Sequence, residues 1–312
     1  MNAPRGRITS PSNPHVKYAR RLQRRRVRDK EGRCLLEGVR LVADAAAAGA
    51  SFVLGFWEES VLGVPGGEEL VRELQARCPV GGFFEVHTQV MRELSDTETP
   101  QGIVVVAERP RPDPRELLDR EGAVTLVVLD NVRDPGNVGT VVRSADAAGA
   151  AGVLVLPGTA DPYGPKALRA SMGSAFHLPV IPAEQAVLAY RSDLACRSEL
   201  AALLPDLLRG KGFGLFVADA TGELGLWEAP LGGRVAIVLG NEATGADPDL
   251  WRGARRVAIP MYGLAESLNV ATAATVLLYE AARQRQVSPR LRPRGGPRGT
   301  ARGEGEGAPR LR

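Results

Sequence analysis

The sequence contains few of the residues that bind metals or form disulfides. It has three cysteines, Cys34, Cys78 and Cys196, and three histidines among 312 residues. The cysteines are odd in number and include no C-x-x-C pair, which is typical of structural thiols in a reducing compartment. So few thiol and imidazole groups argue against a metal site built from them. We therefore expect a metal-free protein of the cytoplasm.

Long apolar runs are also absent from the sequence. No uncharged stretch approaches the roughly 18 apolar residues that indicate a transmembrane helix. The arginines near the N-terminus are not followed by the apolar segment of a signal peptide. The hydrophobic fraction of 44% and the charged fraction of 24% are typical of globular proteins. A chain of 312 residues is long enough for two domains with separate cores.

Positive charge is concentrated in two segments, although the net charge is only +4. Nine Lys and Arg residues lie between Lys17 and Arg33, and seven arginines follow Ser288. A thin apolar stripe within residues 15–30 predicts one basic helix there. Clustered positive charge indicates a polyanionic partner. A solvated helix face and a disordered tail would account for the same charges, so charge alone leaves both interpretations open.

The hydrophobic pattern divides the chain into five segments. Residues 1–14 are polar and contain several prolines, and we expect them to be flexible. Residues 15–107 alternate short strands with helices, which predicts a small α/β/α domain. Residues 108–122 hold three prolines and many charges, as a linker would. Residues 123–286 predict a larger α/β domain, and the Arg/Pro/Gly-rich residues 287–312 cannot build a core and are expected to be disordered.

The strands of the second domain are near-continuous apolar runs, which is typical of a parallel sheet covered on both faces. They are predicted at 125–129, 153–156, 178–181, 214–218, 235–239 and 257–259. Helices are predicted at 138–148, 165–172, 200–208 and 268–284. The last of these has small or apolar residues on nearly every side, so we expect it to be buried all round, within its own domain or in a dimer interface.

Three polar loops follow strands of this sheet, where open α/β sheets bind ligands. The first, residues 130–143, turns at Asp134-Pro135-Gly136, and Asn137 is expected to cap the helix that follows. The second is Gly240-Asn241-Glu242-Ala243-Thr244-Gly245, and the third runs from Ile259 to Ala271. Loops rich in glycine and amides suit adenine edges and a ribose, but they lack the cationic nest that a triphosphate needs.

Two glycine-rich stretches resemble nucleotide-binding loops only superficially. Residues 210–214 precede a strand, whereas phosphate-binding glycines follow a strand and begin a helix. The second polar loop has the glycine spacing of a phosphate loop, but Ala246 and Asp247 replace the required Lys and Ser/Thr. The sequence also has no G-x-S-x-G nucleophile motif. An ATP site and a serine hydrolase are therefore both disfavoured.

Taken together, the three loops resemble the motifs of the SpoU (TrmH-type) branch of the SPOUT methyltransferases. The front half resembles a ribosomal-protein-like RNA-binding domain, at Asn13-Pro14-x-Val16-Lys17, Leu36-Glu37-Gly38 and Thr99-Pro100-Gln101-Gly102. The three methyltransferase motifs are Asn131-x-x-Asp134-Pro135-x-Asn137-x-Gly139-x-x-x-Arg143, Leu239-Gly240-Asn241-Glu242-x-x-Gly245, and Ile259-Pro260-Met261 with Glu266-Ser267-Leu268-Asn269-Val270-Ala271.

The resemblance implies a trefoil-knotted α/β domain that acts as a homodimer. Its expected reaction is methyl transfer from S-adenosylmethionine to a ribose 2′-hydroxyl of structured RNA. The implied catalytic residues are Arg143, Asn137, Glu242, Ser267 and Asn269. The implied cofactor-binding residues are Leu239, Gly240, Asn241, Gly245, Ile259, Met261, Ser267, Leu268, Asn269 and Ala271. The expected RNA-binding residues are Lys17, Arg20, Arg21, Arg24, Arg25, Arg26 and Arg143.

Arg143 has the central role in this scheme. An arginine side chain has a pKa above about 12, so it is a poor general base in an ordinary setting. We therefore expect Arg143 to bind the phosphate of the reacting nucleotide, with the phosphate or a water molecule sharing the proton. The front domain favours large-subunit ribosomal RNA as the substrate. Transfer RNA, rRNA methylation that confers antibiotic resistance, and a non-catalytic ribosome-assembly factor are the alternatives.

Overall fold

The first domain is built on a four-stranded mixed sheet with the order β1-β4-β2-β3. The computed structural model describes residues 7–191 and 202–287. Strands β1 and β2 run antiparallel to β4, and β3 runs parallel to β2. The elements are α1 (Pro14–Arg21), α2 (Arg25–Glu31), β1 (Arg33–Glu37), α3 (Val39–Ala47), β2 (Phe52–Trp57), a 3-10 helix (Glu59–Gly63), α4 (Gly67–Arg77), β3 (Phe83–Glu85), α5 (Thr88–Leu94) and β4 (Ile103–Glu108).

The first domain begins earlier in the chain than the sequence predicts. Ile8 is buried, and its backbone N–H donates to the Glu85 carbonyl at 2.9 Å. Ile8 also forms a parallel bridge with Val86. The prediction of a flexible segment over residues 1–14 is therefore wrong from residue 7 onward, because one apolar side chain among polar neighbours reaches the core. Residues 1–6 lie outside the described part of the chain.

The predicted single basic helix is two helices, α1 and α2. Arg28 belongs to α2, and its side chain is buried. Its Nη1 donates to the carbonyls of Leu22 and Gln23, in the turn between the two helices, at 2.8 Å each. These carbonyls lie just beyond the end of α1, where the helix no longer satisfies them. Gly32, with φ of 66°, ends α2. One arginine therefore turns inward to stabilise the break that the helical pattern did not predict.

The predicted linker is partly integrated into the second domain. It contains the helix α6 (Pro114–Leu118), whose Leu117 and Leu118 are buried against the sheet. Asp113 caps this helix by accepting a hydrogen bond from the Arg115 N–H at 2.9 Å. A proline at the first helical position and an aspartate before it are ordinary start signals. The many charges of the segment concealed this short helix.

The second domain contains a seven-stranded sheet in which all neighbouring strands are parallel, with the order β7-β6-β5-β10-β8-β11-β9. Side chains of β5 alternate between two cores, one on each face of the sheet. The prediction of a covered parallel sheet is confirmed, while the knot stays a prediction. The remaining elements are β5 (Thr125–Leu129), α7 (Pro135–Ala147), β6 (Gly152–Val155), α8 (Pro165–Ser171), α9 (Ser174–His177), β7 (Val180–Pro182), α10 (Ala183–Leu188), α11 (Leu204–Gly210), β8 (Gly214–Ala218), β9 (Leu224–Gly225), β10 (Val235–Leu239), β11 (Arg255–Ala258) and α12 (Val270–Val287).

The last helix, α12, is buried on one face and exposed on another. Ala274 and Leu278 are in the core, and the Ser144 and Thr275 hydroxyls are 2.7 Å apart where α12 meets α7. Tyr279 is 54% exposed, and Arg283 is exposed on the same side. The expectation of burial all round within one chain is therefore wrong, because a helix packed on one layer covers only one face.

Some predictions concern residues that the structure does not describe. Cys196, the first two residues of the helix predicted at 200–208, and the basic tail from residue 288 onward lie outside the described residues. No helix of the described part of the chain is long and apolar enough to cross a membrane.

Candidate active site

A cavity of about 630 Å³ lies at the carboxyl ends of β8, β10 and β11. Its walls come from the second and third polar loops and from the end of β8. Every residue predicted to bind the cofactor lines it except Ala271, which is buried at the start of α12. The lining residues from that prediction are Leu239, Gly240, Asn241, Gly245, Ile259, Met261, Ser267, Leu268 and Asn269. The structure thus brings two stretches that are distant in sequence to one site.

The second polar loop is folded tightly on itself. The backbone groups of Asn241 and Gly245 donate to one another, with both N–H···O distances at 2.9 Å. A Cβ atom at Gly240 would lie 2.0 Å from the backbone nitrogen of Ala246, so no other residue fits there. Gly245 has φ of 73°, in the left-handed region that favours glycine. Both glycines of this motif are therefore required by the backbone itself.

The first polar loop starts α7 three residues earlier than expected, at Pro135 and not at Val138. Asp134 is the helix cap, since its Oδ1 accepts from the Asn137 N–H at 2.9 Å and Pro135 occupies the first helical position. The prediction that Asn137 caps the helix is wrong. A proline followed by two more residues of helical backbone moves the cap upstream. Consequently, the Asn137 side chain is not needed for capping and is available to the site.

The side chain of Asn137 joins all three loops. Its Nδ2 donates to the Glu242 Oε1 at 2.8 Å, and its Oδ1 accepts from the Asn269 Nδ2 at 3.1 Å. Asn269 in turn caps α12 by accepting from the Ala271 N–H at 2.8 Å. An amide is the side chain that can donate to a carboxylate and accept from a second amide at once. Asn137, Glu242 and Asn269 therefore form one hydrogen-bonded group at the edge of the cavity.

Asp130 holds the second loop in place, a role that the sequence did not indicate. This buried carboxylate accepts through Oδ2 from the Asp247 N–H and from the Trp251 Nε1, both at 2.9 Å. Nearby, the Asn241 Nδ2 donates to the Asn131 carbonyl at 3.0 Å. A carboxylate placed directly after a fully buried strand was the available signal. Its partners, more than a hundred residues away, could not be read from local pattern.

Asp134 also pairs with Lys166, at the start of α8. The Lys166 Nζ lies 2.7 Å from the Asp134 Oδ2. The hydrogen bond from this ammonium, together with the one from the Asn137 N–H, lowers the pKa of Asp134 below its usual value. The helices α7 and α8 approach closely at Gly139, where a Cβ atom would lie 2.1 Å from the Ala167 carbonyl oxygen. The first motif therefore includes one residue, Gly139, that is needed for packing.

Arg143 does not lie with the other predicted catalytic residues. It is on α7, six residues after Asn137, which is about 9 Å further along a helix axis. Its side chain is exposed and does not line the cavity. Across residues 7–191 and 202–287 it makes no hydrogen bond or ion pair. The catalytic role of Arg143 stays a prediction.

The predicted RNA-binding residues fall into two groups. Arg20 pairs with Glu93 at 2.6 Å, and Arg25 donates to the Thr159 carbonyl of the second domain at 3.1 Å. Apart from Arg143 in the second domain, the others are exposed, and their side chains make no hydrogen bond or ion pair in the described part of the chain. We call these four the free basic group: Lys17, Arg21, Arg24 and Arg26.

Comparison with known proteins agrees with this arrangement. The SpoU rRNA Methylase family model matches residues 125–279, and the MRM3-like substrate binding domain model matches residues 13–105. The Bacillus subtilis 23S rRNA (guanosine(2553)-2′-O)-methyltransferase RlmP is 32% identical over 279 residues, covering 87% of this chain and 97% of that protein. This chain belongs to the SpoU rRNA methylase family.

Two further relatives extend the comparison. The Streptomyces viridochromogenes 23S rRNA (uridine(2479)-2′-O)-methyltransferase is 33% identical over 286 residues, covering 89% of this chain and 92% of that protein. The crystal structure of AdoMet-bound rRNA methyltransferase from Sinorhizobium meliloti superposes with a TM-score of 0.71 at 30% identity, covering 89% of this chain and 97% of that one. The resemblance to SpoU methyltransferases is confirmed over both domains.

The cavity fits S-adenosylmethionine chemically. Its volume falls within the roughly 300–1,000 Å³ typical of small-molecule sites. Apolar side chains of Leu239, Ile259 and Leu268 line it, and backbone groups near Gly240 and Gly245 are not covered by side chains. The described residues contain no group of His, Cys, Asp or Glu that could hold a metal ion. A flat, uncharged base and a ribose suit such walls better than a polyphosphate does.

Proposed function

We propose that this protein transfers a methyl group from S-adenosylmethionine to a ribose 2′-hydroxyl of 23S ribosomal RNA. The observation that carries the proposal is the hydrogen-bonded group of Asn137, Glu242 and Asn269, which joins all three family motifs at the cofactor-sized cavity. Two of the relatives named above are 23S rRNA 2′-O-methyltransferases, one acting on a guanosine and one on a uridine. The choice of nucleotide therefore varies within the family.

The reaction requires a weakly acidic hydroxyl to be aligned and deprotonated. S-adenosylmethionine supplies an activated methyl group on its sulfonium. The protein must place the 2′-oxygen in line with that methyl group and provide for its proton. Asn137 and Asn269 orient the ribose of the RNA nucleotide, while Glu242 keeps the Asn137 amide in one orientation. Ser267, at the cavity wall, completes this side of the site.

Arg143 binds the phosphate of the reacting nucleotide in this scheme. Its planar guanidinium can hold two phosphate oxygens at once, and it stays charged at neutral pH. The proton of the hydroxyl then passes to the phosphate or to water, since a charged guanidinium cannot accept it. The side chain is exposed and has no ion-pair partner within residues 7–191 and 202–287, which supports this role because a bound phosphate would be its counter-charge.

A homodimer is part of the proposal. The exposed face of α12 carries Tyr279, and the third loop carries Tyr262 and Leu264, which are 87% and 103% exposed. Large apolar surfaces of this kind are typical of protein interfaces. Because α12 packs on α7, a partner that covers α12 would also bring its own surface near Arg143. Sedimentation is expected to give the mass of two chains, and a monomer at micromolar concentration would contradict this part.

The first domain supplies the RNA-binding surface. The free basic group can bind RNA phosphates, as clustered lysines and arginines do in sequence-independent contacts. The second domain then receives a single splayed nucleotide, the usual mode of specific RNA recognition. We place the protein in the cytoplasm, in keeping with the buried free thiols of Cys34 and Cys78.

Methyl transfer to defined RNAs tests the proposal. The purified protein is incubated with S-adenosylmethionine carrying a labelled methyl group and with ribosomal or transfer RNA from a strain that lacks the gene. We expect label in one 2′-O-methylated nucleotide of 23S rRNA. Asn137→Ala should reduce the rate strongly, while Thr140→Ala, an exposed change on the same helix, should not. Label in transfer RNA alone would favour the tRNA alternative, and failure to bind S-adenosylmethionine in calorimetry would favour the assembly factor.

A further inference from the structure

Asp219 is a carboxylate in the cavity wall that none of the three family motifs contains. It directly follows β8, which lies between β10 and β11 in the sheet. The register pairs Val217 with Val238 on one side and with Arg256 on the other. By this register, Asp219 lies opposite Gly240. It is located between the second polar loop, which follows β10, and the third polar loop, which follows β11. Its backbone N–H donates to the Val257 carbonyl at 3.0 Å, which fixes its position.

The carboxylate is held in one orientation by two residues, and it has fewer partners on one oxygen than on the other. Its Oδ1 accepts from both the N–H and the hydroxyl of Thr221, each at 2.8 Å. Its Oδ2 has one partner among the described residues, the Arg256 Nη1 at 3.3 Å. Burial alone would raise the pKa of Asp219, but the Thr221 hydrogen bonds and the Arg256 charge hold it below the usual value. At neutral pH the side chain is thus an ionised acceptor.

The other carboxylates of the cavity wall already have protein partners. Glu242 accepts from Asn137. Asp247 accepts through Oδ1 from the backbone N–H groups of Asp249 and Leu250, at 2.9 and 3.3 Å. Asp219 differs from both in its position, because it follows the central strand β8 and belongs to neither of the two polar loops. Its neighbours Ala218 and Ala220, which also line the cavity, have small side chains that leave space beside it.

We propose that Asp219 binds the ribose of S-adenosylmethionine, accepting hydrogen bonds from its 2′- and 3′-hydroxyls. A carboxylate at a strand end is a recurrent acceptor for ribose hydroxyls in α/β folds. The charge of Asp219 is balanced by Arg256, so the site favours a neutral donor. The ammonium group of the methionine moiety would be repelled by the Arg256 guanidinium. This proposal rests on cofactor binding in the cavity and adds the residue that selects the sugar.

Binding of two ligands distinguishes the ribose from the amino-acid moiety. S-adenosylhomocysteine contains both parts, whereas 5′-methylthioadenosine contains the adenine and ribose but no amino acid. Calorimetry is carried out on the full chain and on Asp219→Ala. We expect the variant to bind both ligands about 10- to 100-fold more weakly, as the loss of hydrogen bonds to a charged group implies. The matched control, Asp249→Ala, removes an exposed carboxylate that does not line the cavity and should change neither affinity.

Two outcomes would overturn the assignment. If Asp219→Ala weakens S-adenosylhomocysteine but not 5′-methylthioadenosine, the carboxylate binds the amino-acid moiety. If neither affinity changes, Asp219 does not contact the cofactor. Should the alanine variant fold poorly, Asp219→Asn keeps an acceptor for Thr221, and it should weaken both ligands by one common factor. A wild-type chain that binds neither ligand would contradict the cofactor itself, so the two failures are distinguishable.

Discussion

The edge of the second-domain sheet and the basic surface of the first domain hold their polar side chains in opposite ways. At the sheet edge, Asn137 bonds to both Glu242 and Asn269, and Asp130 accepts from the backbone N–H of Asp247, just beyond the second polar loop. On the basic surface, the free basic group has no protein partners within the described residues. Chemistry on one atom needs side chains fixed in place. Contact with a phosphate backbone needs charge within reach, and flexible side chains supply it.

Arg28 and Asp161 form a third arrangement, between these two surfaces. The Arg28 guanidinium donates from Nε to the Asp161 Oδ2 at 2.8 Å, and its Nη2 lies 2.6 Å from the same oxygen. Both side chains are almost completely buried. This ion pair links α2 of the first domain to the second domain. One member of the predicted basic cluster therefore contributes to the fold and not to a binding surface.

The largest effect is expected from breaking this ion pair. Asp161→Asn leaves the Arg28 charge buried without its partner, and such changes cost about 3–5 kcal/mol of stability. Urea denaturation measures the free energy of unfolding. Arg28→Met combined with Asp161→Leu should cost less than Asp161→Asn alone, because neither charge then remains. If Asp161→Asn instead weakened RNA binding with no loss of stability, the pair would belong to the basic surface.

The second-largest effect is expected on turnover, when Arg143 is replaced. Arg143→Ala should lower turnover by about 100- to 1,000-fold, comparable with removal of one donor that stabilises a transition state. Arg143→Lys keeps the charge but loses the two-pronged geometry, and we expect most of the loss to remain. Arg191→Ala, an exposed arginine elsewhere in the second domain, is the matched control. Near-wild-type turnover of Arg143→Lys would mean that charge alone is sufficient.

A smaller effect is expected on the basic surface. Replacing Lys17, Arg21 and Arg24 together by Gln should weaken RNA binding, and the dependence of log K on log salt should become shallower by about 2 to 3 units. Filter binding over a range of salt concentrations measures this slope. Arg20→Gln removes a charge that is already paired with Glu93, so its slope should change less. If the triple variant kept the wild-type slope, these three residues would not contact RNA phosphates.

The smallest effect is expected for the substitution Asp134→Asn, which should lower the stability of the fold slightly. Asp134→Asn keeps a capping oxygen but loses the partly exposed ion pair with Lys166, which is worth less than about 1 kcal/mol. Because the folded pKa of Asp134 is lowered, the stabilisation is complete above about pH 4 and is lost as the pH falls through the lowered value. Thermal unfolding at pH 7 and pH 3 should show a smaller difference at pH 3 than at pH 7. An equal difference at both pH values would exclude the ion pair as its cause.

The sequence by itself determined the strands and the family motifs. The strands Thr125–Leu129 and Val235–Leu239 were predicted with their observed ends, because continuous apolar runs bounded by polar turns are local signals. The residues of the second and third motifs could be recognised in the same way, whereas their place at one cofactor site was implied by the resemblance alone. The strands and the motifs depend on neighbours only a few positions apart.

The tertiary structure decided which side chains act together. Asn137 and Glu242 are 105 positions apart, and Arg28 and Asp161 are 133 apart, so no local pattern pairs them. The same holds for Asp219, whose place in the cavity wall follows from the order of β10, β8 and β11 in the sheet. The exposure of Arg143 and of one face of α12 depends on what packs against them. Burial and hydrogen bonding between distant segments are properties of the folded chain, and they distinguish the bonded amides of the cavity from the free cations of the first domain.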